Sequence, residues 1–81
     1  MIMTKRARDI RRLAGLLTTK SGTSVRIYYD RAVRRYRVVW TDGPDVAQMF
    51  TLAITCANTD LDVDVPTLLW HRDTTANTST G

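Results

Sequence analysis

The sequence predicts a small α+β domain, a two-layer α-β-β-α(-β) arrangement with a small antiparallel sheet covered on one face by two helices. Three observations lead there. Two segments repeat apolar residues at helical spacing, two neighbouring segments alternate apolar and polar residues, and short turn signals separate them. The chain has 81 residues, enough for one domain with a modest core. We expect that domain over residues 4–73. A flexible C-terminal tail is expected over residues 74–81, where only Thr, Ser, Asn, Ala and Gly occur.

Residues 4–19 read as the first helix. Ala7, Ile10, Leu13, Ala14 and Leu17 form one apolar stripe, which Met3 extends. Lys5, Arg8, Arg11 and Arg12 fall on the other side, and Arg6 sits at the stripe's margin. Gly15 weakens the helix slightly, and Lys20, Ser21 and Gly22 supply a glycine stop signal.

Residues 24–30 and 35–41 read as two strands of a hairpin, joined by Arg31, Ala32, Val33 and Arg34. Placing Asp30 opposite Arg35 pairs Tyr29 with Tyr36, Ile27 with Val38 and Val25 with Trp40. Side chains alternate along a strand, so these six share an apolar face. The other face then carries Arg26, Tyr28, Asp30, Arg35, Arg37 and Val39. A slip of one residue would bury the arginines, which fixes the register.

Asp42, Gly43 and Pro44 form a turn that leads into a second helix over residues 45–57. Pro44 suits its first position, and Asp45 lies where the helix dipole favours negative charge. Val46, Met49, Phe50, Ala53, Ile54 and Ala57 supply its apolar stripe. Asn58, Thr59 and Asp60 break it, and residues 61–64 alternate as a short extended piece. Residues 67–73 read as a third strand with Leu68 and Trp70 inward; a helical turn is the alternative.

The net charge of +4 hides a division along the chain. Residues 1–40 carry eleven Lys and Arg against two acids, and residues 41–81 carry one Arg against six Asp. The halves are therefore +9 and −5. All eight acids are Asp and ten of the twelve bases are Arg, a bias that GC-rich codons produce. Arg also suits recognition of phosphate and carboxylate through its planar fork.

Several functions lack their residues. The single Cys56 cannot form an internal disulfide, and one His with one Cys cannot close a zinc site of the usual ligand types. Asp60, Asp62 and Asp64 lack the Gly and closing Glu of a calcium loop, so they read as a solvated or partner-facing acidic strip. His71 with Asp73 has no positioned nucleophile, Cys56 reads as structural, and there is no glycine-rich phosphate loop. We expect no catalytic residues, no metal site and no cofactor. No apolar run is long enough to span a membrane, and the basic start lacks the apolar stretch of a signal peptide. A cytoplasmic protein without a membrane partner is expected.

Trp40, Thr41, Asp42, Gly43 and Pro44 lie between a strand and an amphipathic helix. Physically, Trp40 reads as core, Asp42 as a turn or cap residue, Gly43 as a flexible position and Pro44 as a helix start; a ligand-contacting loop is the alternative. In this placement the sequence resembles the WTDGP-bearing domain family found in large polyvalent proteins of phages and mobile elements, and in short standalone proteins of actinobacterial phages. The similar region covers residues 5–57. The resemblance implies the fold, a phage or mobile-element origin and an accessory role, with no activity to carry over. The very basic hairpin and the acidic stretch after Asn58 depart from the family pattern.

The basic half points to an acidic macromolecule as partner. Arg26, Arg35 and Arg37 around Tyr28 combine charge with a stacking ring, which suits nucleic acid. Lys5, Arg8, Arg11 and Arg12 add a second basic surface on the first helix. The alternatives are an acidic host protein and a homodimer, in which opposite halves attract or an exposed edge strand pairs.

Overall fold

In the computed structural model, which describes residues 4–58 and 60–73, the first helix α1 spans Lys5–Ser21. Thr4 caps it by accepting a hydrogen bond from the Ala7 amide, and Gly22 ends it in the left-handed region at φ 80°. Ile10, Leu13 and Leu17 of the expected stripe are buried. Thr18 then fastens the helix to the sheet: its Oγ1 accepts from Val25 N at 2.9 Å and donates to Val25 O at 3.3 Å.

Strands β1 (Val25–Asp30) and β2 (Arg35–Thr41) pair antiparallel, with Val25 opposite Trp40 and Asp30 opposite Arg35. This is the register that the alternation requires. Helix α2 spans Val46–Ala57, a 3-10 turn covers Val65–Thr67, and β3 spans Leu69–Asp73. The sheet order is β1-β2-β3. Both helices and the buried sheet residues Val25, Val38 and Trp40 belong to one core, so the helices lie on one side of the sheet. The fold is the expected two-layer α+β domain.

The sheet is mixed, not antiparallel. β3 pairs parallel to β2, with Arg37 beside Leu69 and Thr41 beside Asp73. A parallel neighbour requires a crossover, and α2 supplies it by returning the chain to the hairpin end before β3 begins. Alternation along residues 67–73 defines faces and carries no information on direction. Residues 65–67 form the 3-10 turn, so the strand starts two residues later than expected, with Leu68 buried just before it. Trp70 packs inward as expected, edge-on to Trp40 and Phe50.

The start of α2 also differs. Asp45 is the N-cap, accepting from Gln48 N, while the Gln48 side chain accepts from Asp45 N in a reciprocal box. Pro44 therefore precedes the helix and does not open it. Val46 and Ile54 are exposed, whereas Met49, Ala53 and Cys56 are buried. Nearly every α2 residue is apolar except Gln48, Thr51 and Thr55, so periodicity alone leaves its rotation open.

The WTDGP segment makes packing and hydrogen-bond contacts within the fold. Trp40 is 1% exposed, and its indole N–H donates to the Pro44 carbonyl at 2.8 Å. Asp42 and Gly43 both take positive φ, at 61° and 84°, and Asp42 acts as a turn residue without capping α2. Thr23 Oγ1 donates to Thr41 O, which ties this loop to the α1–β1 connection. Residues 61–64 belong to no helix or strand, with Leu61 buried and Asp62 and Asp64 exposed. The Met3 extension, Thr59 of the helix break and the tail expected at 74–81 lie outside the described residues.

Candidate nucleic-acid interface

Alternation on β1 and β2 puts Arg26, Tyr28, Asp30, Arg35, Arg37 and Val39 on the face away from the helices. Parallel pairing extends that face with Leu69, His71 and Asp73 of β3. Among the described residues no element of the core packs over it. Tyr28 stands 49% exposed, with Arg37 as its cross-strand partner and Arg26 two residues away on the same face.

The expected arginines do not act alike. Arg37 is held by Asp30: Nη2 and Nε donate to Oδ2 at 2.7 Å and 3.2 Å. The Arg37 bond, followed by the Ala32 amide, holds the Asp30 carboxyl below its ordinary value of 3.8. Asp30 in turn raises Arg37, and the pair is half-buried. The charge of Arg37 is thus matched locally. Arg35 Nε donates to Thr67 O at 2.8 Å, which draws the guanidinium toward the hairpin end and away from Tyr28. Of the four residues expected to bind through this face, Arg26 and Tyr28 remain together and exposed.

The basic residues of α1 divide between two flanks. Lys5 Nζ lies 2.8 Å from Asp9 Oδ2, and Lys5, Arg8 and Arg12 line one cleft with Asp9 and Asp60. The hydrogen bond to Asp9 is the main cause of the raised Lys5 pKa, with Asp62 and Asp60 adding smaller attractions. This flank faces the acidic 60–64 stretch of the same chain. Arg11 lies on the opposite flank, in a groove of about 580 Å³ between α1 and the β1 edge. Arg26 and Tyr28 line the same groove, and Ala7, Ile10 and Ala14 form its apolar wall. Arg11 of the helix therefore shares a groove with the sheet-face pair, whereas Lys5, Arg8 and Arg12 do not line it.

Asp9 is a residue that sequence reasoning missed. It is 5% exposed, and its Oδ2 accepts from both Lys5 Nζ and Asp62 N, the latter at 2.8 Å. These bonds hold its carboxyl below the ordinary 3.8. The Lys5–Asp9 spacing of four residues was a legible signal for the ion pair. Nothing local announces the Asp62 amide. Asp60, Asp62 and Asp64 are exposed while Leu61 and Val65 turn inward, so the acidic strip exists as expected.

Among the described residues there is no group of three His, Cys, Asp or Glu side chains placed to hold a metal. Likewise, no described helix is long and apolar enough to cross a membrane. His71 is exposed on the outer sheet face and Cys56 is buried in the core. No family model, curated protein or solved structure matches the chain.

Proposed function

We propose that this chain is a non-enzymatic accessory protein of a phage or mobile element, acting in the bacterial cytoplasm, that binds single-stranded nucleic acid across the β1 edge of its sheet. The observation that carries the reading is the half-exposed Tyr28 on an open face, flanked by Arg26 and reached by Arg11 through the groove. Neither arginine takes part in an ion pair among the described residues. An unstacked base can lie on the tyrosine ring while the two guanidiniums meet the adjoining phosphates. A duplex offers no free base face to such a ring, so the single strand is favoured.

Fluorescence anisotropy with labelled single- and double-stranded DNA and RNA, at low and physiological salt, tests this. Single strands should bind at low salt, and Tyr28→Ala should weaken them by roughly 5- to 100-fold, the range for loss of one stacked base. Absence of binding at low salt, where phosphate contacts are strongest, would remove the proposal.

The edge of β1, which has no strand partner among the described residues, favours a second reading, in which an acidic protein segment adds to that edge. Its backbone would pair with β1 while its carboxylates meet Arg11 and Arg26. Retention of a host protein by a tagged copy after nuclease treatment, lost in an Arg26→Glu variant, separates this reading from the first.

A further inference from the structure

Three segments distant in sequence converge at the hairpin end of the molecule: the start of α1, the β1–β2 hairpin and residues 64–67. Arg6 comes from the first turn of α1, Arg34 from the β1–β2 loop and Arg35 from the start of β2. Together with Tyr29, Tyr36 and Asp64 they line a cavity of about 530 Å³. That volume falls in the usual range for small-molecule sites. Arg35 is oriented by its bond to Thr67 O, which leaves its outer nitrogens available to a ligand.

Charge and backbone conformation both suit the cavity to an anion. None of the three guanidiniums takes part in an ion pair among the described residues, and the lining carries three positive charges against the single Asp64. Gathering like charges in one concavity is unfavourable until an anion enters it. Arg34 holds φ at 57°, a left-handed conformation that Gly or Asn adopts more readily. The chain thus keeps a long basic side chain where hairpin geometry alone would favour glycine. Tyr29 is 49% exposed although it lies on the core face, and its ring meets Tyr36 edge-on at 5.1 Å.

We propose that this hairpin-end cavity is a nucleotide-phosphate site: Arg6, Arg34 and Arg35 receive a phosphate group, and Tyr29 receives the base attached to it. Guanidinium forks match phosphate oxygens in geometry and charge. The same chemistry is offered by a free mononucleotide and by the phosphorylated end of a strand. The cavity shares Tyr29 and Tyr36 with the groove of Arg11, Arg26 and Tyr28, but its three arginines are different ones, so substitutions separate it from the sheet-face reading.

Calorimetric titration with adenosine 5′-monophosphate, and anisotropy with one oligonucleotide carrying or lacking a 5′-phosphate, test the site in the whole chain. The monophosphate should bind more tightly than adenosine, or the phosphorylated strand more tightly than its unphosphorylated twin. The first outcome assigns the site to free nucleotides and the second to strand ends. Arg34→Gly should weaken that binding by about tenfold or more, as loss of a charge-assisted contact does, while leaving thermal stability equal or higher because the φ strain is relieved. Arg6→Gln should weaken it similarly, and Arg26→Gln should leave the monophosphate affinity and the ratio between the phosphorylated and unphosphorylated strands unchanged while weakening both strands. Indifference to the phosphate in both assays, or wild-type affinity in Arg34→Gly, would overturn the proposal.

Discussion

Asp9 bridges the first helix to a segment 53 residues away through one carboxylate oxygen. Its lowered pKa has a definite sign in the stability of the fold. A carboxylate whose folded value lies below 3.8 contributes fully above that pH, and the contribution is lost as pH falls through the folded value. Asp9→Asn keeps an acceptor for the Asp62 amide but removes the ion pair with Lys5. It should therefore lower the urea midpoint at neutral pH, and the difference from wild type should shrink well below pH 3.8, where the wild-type carboxyl is also neutral. Asp9→Ala also strands the amide and should cost more at neutral pH. A constant difference across that range would show that charge at Asp9 is irrelevant. Sequence made the Lys5–Asp9 pair legible through helical spacing. The burial of Asp9 was not legible, because its second partner comes from an irregular segment with no periodic signal.

Among the elements, the hairpin was the most legible, since one pairing puts every charged residue of both strands on one face and six apolar or aromatic residues on the other. The direction of β3 was not, because an alternating strand reads the same in either orientation; only the crossover through α2 decides it. The rotation of α2 was hidden for a related reason, as its polar positions are too few to mark a solvent face. The WTDGP loop illustrates the opposite case, in which each residue has a local physical requirement. Trp40 fills the core and donates to Pro44 O, so Trp40→Phe removes both volume and a hydrogen bond. Equilibrium denaturation should show a loss of about 2–3 kcal/mol. Gly43 sits at φ 84°, and a Cβ there would meet Thr23 Cγ2 at 3.2 Å. Gly43→Ala should cost about 1–2 kcal/mol through backbone strain, with a further rise if Thr23 cannot give way.

On the scale of the whole molecule, the division of charge along the sequence is partly cancelled in space. The acidic 60–64 stretch returns beside α1, and each of the two acids in the basic half, Asp9 and Asp30, holds a base of its own half. Complementarity that a head-to-tail homodimer would need is thereby used within one chain. The candidate site was legible in the sequence only as a list of basic residues; its partition required knowing which flank of α1 meets the acidic return and which meets β1. That partition makes a quantitative claim about nucleic-acid binding. Each phosphate contacted on a single strand contributes about −0.7 to the slope of log affinity against log salt concentration. Engagement of all seven expected bases would give a slope near −5 by that rule. With Arg37 matched by Asp30, Lys5 by Asp9, Arg35 drawn to the hairpin end and Arg8 and Arg12 facing Asp60, only Arg11 and Arg26 are left to meet phosphates beside Tyr28. The slope for an unphosphorylated strand should then be about −1.5 to −2, allowing one further contact from the hairpin loop. Anisotropy across a salt series reads it directly, and a slope steeper than about −4 would mean that the acidic stretch leaves α1 when the strand binds.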